Sequence, residues 1–139
     1  MAAGLNAPPD PVGLYEPFTR HGELVFVSAI SSARDGTMIT GKVGRDLTFE
    51  EGCEAARRAA DNLLAVLDQA GEVAAILMIR GQVNATDDFA QVHKVIDAAS
   101  ERIVERLGEP GRHARTAIGC ATLPNNNAVT LEAIARIAT

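Results

Sequence analysis

The chain has 139 residues, a formal net charge of −5, 47% hydrophobic and 22% charged residues, no tryptophan and only 4% aromatics. Those values fit one globular domain with a core built from Val, Ile, Leu and Ala, and they exclude a second comparable domain or long disorder. The acidic balance argues against a general nucleic-acid binder, whose phosphate contacts call for a basic face.

Residues 1–10 carry three alanines and the adjacent Pro8-Pro9, and read as a flexible or extended arm before a single domain spanning 11–139. That start has neither a basic region nor an apolar run, and nowhere do 18 apolar residues stand together, so the expected location is cytoplasmic with no membrane partner. Glu23 to Ile30 is rich in Val, Leu, Phe and Ile, and a shorter segment from Thr37 to Val43 follows the turn-like Arg34-Asp35-Gly36; the simple expectation is a hairpin of these two strands. Gly41-Lys42-Val43-Gly44-Arg45 lacks the spacing and the strand-loop-helix setting of a phosphate loop, and reads as a hairpin exit or an edge lid.

Thr48-Phe49-Glu50-Glu51 has the form of a capping box, and the alanines and leucines from Ala55 to Leu67 recur at three- and four-residue spacing until Gly71 supplies a stop. Val73 to Val83 reads as a strand. Thr86-Asp87-Asp88 is expected to cap a second helix with Phe89, Val92, Ile96, Ala99, Ile103 and Leu107 in line, ended by Gly108. Two apolar strands close the chain, the first running from Arg115 to Leu123-Pro124 and the second starting at Ala128. The order is strand, strand, helix, strand, helix, strand, strand, which predicts an α+β sandwich in which two helices cover one face of a single mixed sheet.

Few residues suggest chemistry by type and spacing alone. Cys53 and Cys120 stand far apart with no histidine pair nearby and read as buried small hydrophobes in the core rather than a disulfide, a metal site or a nucleophile. Asp87-Asp88 reads as a cap rather than as part of a metal site, so no metal is predicted. No Ser/His/Asp arrangement supports covalent catalysis. Arg115, at the mouth of a strand, is an always-charged planar fork suited to gripping a carboxylate through two hydrogen bonds. His113, two residues earlier in an extended segment, is expected to share its side.

Four segments in register resemble the Rid/YjgF family of reactive imine and enamine deaminases. They are Gly13-Leu14-Tyr15, Gly22 to Ser28, Val83 to Val92 with its Asp88-Phe89 pair, and Arg115 to Leu123-Pro124 followed by the last strand. The resemblance implies a chorismate-mutase-like fold in which three copies pack their sheets into a central barrel, with ligand pockets in the clefts between subunits. It implies hydrolysis of small 2-imino or 2-enamino acids to 2-oxo acids and ammonia, with no cofactor. Arg115 would hold the substrate carboxylate, and Ser28, Ala117, Phe89 and Thr130 would line the pocket. Tyr15 would orient water or the imine nitrogen, or else be an interface aromatic. His93 would be either a proton carrier or a polar residue on an exposed helix turn.

The match departs from the family in three places. Ala29-Ile30 stands where many members have Gly-Gln, His93 stands where familiar members often have asparagine, and Thr130 falls where deaminating members carry a glutamate that positions water. A threonine cannot act as an acid or base, so a non-catalytic small-carboxylate sensor is the second reading. RNA cleavage comes last on charge grounds, and the fold by itself does not imply chorismate-mutase chemistry.

Overall fold

The structure, a computed structural model, describes residues 7–139. The expected arm over residues 1–10 lies largely outside the described residues; within its described part, Pro9 and Asp10 carry no regular structure and line a cavity discussed below. Five strands form one sheet: β1 (Phe18–His21), β2 (Leu24–Ile30), β3 (Val73–Asn84), β4 (Ala114–Cys120) and β5 (Val129–Ile137). Their spatial order is β1-β2-β5-β3-β4, antiparallel throughout except for the parallel pair β3 and β4. Two helices, α1 (Phe49–Ala70) and α2 (Val92–Leu107), cover one face, so the mixed α+β sandwich expected from the sequence is present.

Helix α1 starts where its local chemistry says it should. Thr48 accepts from the Glu51 amide at 3.1 Å while the Glu51 carboxylate accepts from the Thr48 amide at 2.9 Å, satisfying two backbone donors that the first turn leaves unpaired. Thr48→Ala should therefore cost about 1 kcal/mol of stability, read as a lowered denaturation midpoint with an unchanged slope. The stripe Ala55, Ala56, Ala59, Ala60, Leu63 and Leu67 is fully buried. Small side chains let the helix backbone come close to its neighbours, and each buried leucine contributes about 1.5–3 kcal/mol by leaving water.

Helix α2 sits equally close to the sheet. A Cβ on Gly81 of β3 would lie 2.6 Å from Ile96 Cδ1, so only a glycine leaves room for Ile96 there.

Two expectations fail. The hairpin partner of β2 is β1, not the segment Thr37–Val43. Gly22, at φ +61°, turns the chain between Phe18–His21 and Leu24–Ile30, which places His21 at that turn, and the other edge of β2 is taken by β5. Asp35 and Gly36, both at positive φ, close a tight turn in which the Arg34 and Thr37 backbones bridge to each other; beyond it the segment makes isolated bridges, Thr40 to Asn127 and Val43 to Ala85. The second correction concerns α2, which begins at Val92 without a side-chain cap. Thr86 Oγ1 donates instead to Asp88 at 2.8 Å, inside a loop that carries Phe89 ahead of the helix.

The uncovered sheet face leaves Phe26, Leu77 and Ile118 more than 40% exposed, with Met78 and Ile134 beside them. A single copy of the chain thus shows water a large apolar surface.

Candidate functional site

The sequence-derived site residues fall into two groups, with two residues outside both. The first gathers around the β2–β5 pair, whose register shifts between Val27 and Ile30. Such a bulge bends the strand away from its partner, and here a cavity of about 320 Å³ opens beside it, lined among others by Tyr15, Ser28, Ile30, Met38, Gln82 and Thr130. Three predicted residues, Tyr15, Ser28 and Thr130, therefore meet.

Their hydroxyl protons are largely committed. Ser28 Oγ donates to the Glu16 carbonyl at 2.6 Å, and Thr130 Oγ1 donates to Gln82 Oε1 at 2.8 Å. Gln82 in turn donates through Nε2 to Glu132 Oε1 at 3.2 Å. The glutamine is a cross-strand neighbour of Thr130, which is why the two side chains reach each other. Tyr15, about half exposed, accepts a long 3.4 Å bond from the Val12 amide and keeps its own proton free to donate.

The second group is built on β4 and α2. Arg115 points to the helix-covered face, where Nη1 donates to Asp97 Oδ1 at 2.8 Å and to Ser100 Oγ at 3.1 Å, and Nη2 donates to the His93 carbonyl at 3.3 Å. His113 joins from the same side, as its spacing predicts. Its Nδ1 lies 2.6 Å from the Gly111 carbonyl and must carry a proton to bond there, which leaves Nε2 to accept from Ser100 Oγ at 2.9 Å in the neutral ring. The His93 side chain is exposed beside this cluster.

Phe89 and Ala117 belong to neither group. Phe89 lines a separate groove with Val92, Gly119 and Cys120, and Ala117 packs against the core.

Alternation along the strands separates the two main groups. Thr130 and Glu132 lie on the open face of β5, whereas Arg115 projects to the helix side of β4. One chain cannot bring Arg115 and Thr130 against the same small ligand.

Sequence reasoning missed Gln82, Asp97 and Ser100. A signal existed for the last two, since residues 93, 97 and 100 recur at the four- and three-residue spacing of one helix face. Gln82 sits inside an apolar run and gave no sign without the strand register. Cys53 is buried as expected, and its thiol is pushed above its ordinary range by burial and, secondarily, by the Glu50 carboxylate. Iodoacetamide at pH 8 should leave Cys53 unmodified in the folded protein and alkylate it after denaturation, which peptide mass spectrometry would read. Cys120 is only half-buried, at the groove with Phe89, which corrects its reading as a core residue. Among the described residues no group of His, Cys, Asp or Glu could hold a metal ion, and no helix is long and apolar enough to cross a membrane.

Comparison with known proteins agrees with this architecture. The family described as "YjgF/chorismate_mutase-like, putative endoribonuclease" matches residues 1–137. Protein TCP17 of Trypanosoma cruzi is 32% identical, over 96% of this chain and 87% of its own length. Among solved structures, Atu1372 of Agrobacterium tumefaciens, described as of unknown function, is 38% identical with a TM-score of 0.88, covering 93% of this chain and 86% of that one. A protein described as a putative endoribonuclease from Shewanella oneidensis MR-1 superposes at a TM-score of 0.92 with 28% identity, covering 96% and 91%. With its fold and its Arg115 strand in view, the chain belongs to the YjgF/chorismate-mutase-like family, as a divergent Rid/YjgF member.

Proposed function

We propose that the protein hydrolyses small reactive 2-imino or 2-enamino acids, releasing the 2-oxo acid and ammonia, at a site completed between copies of the chain in a homotrimer. The observation that carries this reading is the convergence of Tyr15, Ser28 and Thr130 in one cavity while Arg115 faces the opposite side of the same sheet. A second copy supplies the missing half. The apolar open face, with Phe26, Leu77 and Ile118 exposed, supports that association.

The chemistry asks little of the protein beyond positioning and charge. Arg115 exchanges Asp97 for the substrate carboxylate and holds it as a fork. An enamino acid first takes a proton at C3 and gives one up from nitrogen to become the imine; water then adds to the C=N carbon, a proton reaches the nitrogen, and the carbinolamine hydroxyl loses its proton as the carbon–nitrogen bond breaks, releasing ammonia and leaving the 2-oxo acid. Thr130, whose proton is directed at Gln82, accepts a hydrogen bond from that water and orients it without taking a proton. The Tyr15 hydroxyl, free to donate, faces the nitrogen or the adding oxygen, and exposed His93 carries protons at the mouth.

The test is release of 2-oxo acid from freshly generated 2-aminoacrylate and 2-iminobutyrate, with semicarbazide as trap, comparing wild type with Arg115→Ala. Acceleration that depends on Arg115 supports hydrolysis, and none supports a different activity. The second reading, a carboxylate-binding protein without turnover, is favoured by Thr130; it predicts thermal stabilisation by 2-oxobutyrate with no acceleration of imine loss. RNA cleavage, named for the family and for the Shewanella protein, has less support here, because the chain carries a net charge of −5.

A further inference from the structure

The helix layer carries a charge imbalance that runs against the rest of the chain. Acidic residues outnumber Lys and Arg by 18 to 13, yet where α1, α2 and the turn after β2 meet, three guanidiniums share a single carboxylate. Arg34 Nη2 donates to Asp61 Oδ2 at 3.1 Å, Arg102 Nη1 donates to the two Asp61 oxygens at 2.9 and 2.7 Å, and Arg106 Nη2 stands 3.6 Å from Oδ1, too far to bond. Among the described residues no other carboxylate pairs with any of the three. Elsewhere the ratio is ordinary: Arg57 has both Glu50 and Glu54, and Arg45, Arg112 and Arg115 each have an acid of their own. Each guanidinium has five N–H donors, and Asp61 takes only a few of them. Arg34 Nε is buried with no hydrogen-bond partner among the described residues, and the Arg106 side chain makes no hydrogen bond among them either. The three side chains are 25–32% exposed, so a small ion reaches the remaining donors.

We infer that this junction is a binding site for a phosphate dianion, either the free ion or the terminal group of a small phosphate monoester. Three positive charges less one negative leave two, the charge that a dianion cancels. Arg102 and Arg106, four residues apart, lie on one face of α2, and Arg34 reaches the same carboxylate from the turn after β2. A tetrahedral ion presents acceptor oxygens in several directions at once, and planar guanidinium forks that arrive from separate segments suit it. A long polyanion such as RNA fits less well, because α2 also carries Glu101 and Glu105 next to the two arginines and the chain as a whole is acidic. The bound ion ties α1, α2 and the turn together, so it stabilises the fold. The site shares no residue with the Arg115 cluster or with the cavity beside the β2–β5 bulge, and it does not depend on the imine reaction.

The test is calorimetric titration of the full-length protein at pH 8 and constant ionic strength with inorganic phosphate, methyl phosphate and dimethyl phosphate, with sodium chloride as the reference salt. Inorganic phosphate should bind saturably below about 10 mM and, at ten times its Kd, raise Tm by about 4 °C over chloride. Equal binding of methyl phosphate assigns the site to monoesters as well, and its exclusion assigns the site to the free ion. Dimethyl phosphate, a monoanion with the chemistry of a diester backbone, should bind at least ten-fold more weakly than phosphate. Arg106→Gln should weaken phosphate about ten-fold, the scale of one charge-assisted hydrogen bond. Since Arg106 bonds to nothing else in the fold, that variant should not lower Tm by more than about 2 °C without ligand. Arg45→Gln removes the same charge from an exposed pair with Asp46 outside the cluster, and should leave the affinity within about two-fold. No saturable binding of inorganic phosphate, dimethyl phosphate bound as tightly as phosphate, or an affinity untouched by Arg106→Gln would each overturn the inference.

Discussion

Arg115→Ala should lower kcat/KM for 2-iminobutyrate by about 100-fold while moving Tm by no more than about 3 °C. The large effect on activity follows from the fork. A guanidinium that grips a carboxylate through two charge-assisted bonds contributes roughly 3 kcal/mol, and loss of that contact appears in kcat/KM as about two powers of ten. Arg115→Lys keeps the charge and loses the planar pair, so it should recover only part of the rate. The small effect on stability follows from exposure. The Arg115 side chain is 22% exposed and its partner Asp97 is 52% exposed, and ion pairs so close to solvent contribute about 0–1 kcal/mol. An unchanged kcat/KM in the alanine variant would refute both the hydrolase and the carboxylate-binding readings, because both route recognition through this side chain.

Asp61→Ala should be the most damaging polar substitution in the fold, lowering stability by about 2–3 kcal/mol and Tm by roughly 8 °C. Asp61, on α1, is only 9% exposed and stands among three arginines. It accepts from Arg34 Nη2 at 3.1 Å and from Arg102 Nη1 at 2.9 and 2.7 Å, and it lies 3.6 Å from Arg106 Nη2. Removing the carboxylate leaves three guanidiniums facing one another with nothing between them. Their side chains are 25–32% exposed, so water relieves part of the repulsion, and the effect falls below the roughly 3–5 kcal/mol of a fully buried pair. Asp61→Asn should lose less, since it keeps the shape and two acceptor lone pairs. The cluster also ties α1 and α2 to the segment after β2, whose Ser31, Ala33 and Met38 line the cavity. A Tm within 2 °C of wild type would reduce the cluster to solvated surface charge.

The two predictions probe different depths of the molecule. Arg115 lies near solvent, where the proposed substrate carboxylate would compete with Asp97 for its donors. Asp61 acts where one aspartate holds three separate pieces of chain together. In the sequence Arg34 stood out only as part of a turn, and Arg102 and Arg106 not at all, because each is an ordinary arginine in its own segment, and their common partner is 27 and 41 residues away from Arg34 and Arg102.

What the sequence by itself determined is what a few neighbouring residues can enforce. The capping box at Thr48, the alanine and leucine stripe of α1 and the stop at Gly71 are local physics, and the structure has them where the residues put them. The same holds for the apolar runs that became β3 and β5, for β4 except that it ends at Cys120 rather than at Leu123-Pro124, and for His113 falling on the Arg115 side by strand alternation. The family signature around Arg115 was legible for the same reason, being a contiguous pattern. Tertiary structure decided everything that needed a distant partner. Whether β2 pairs with Phe18–His21 or with Thr37–Val43 depends on which edge β5 occupies, and β5 lies a hundred residues further along the chain. Where α2 starts depended on Phe89 reaching the core, which took Thr86 and Asp88 into a loop instead of a cap. The division of the candidate site onto opposite faces of the sheet, and the Gln82 side chain that turns Thr130 into an acceptor, follow from strand order and register. Those are set by the burial of the whole sheet and not by any short stretch of residues.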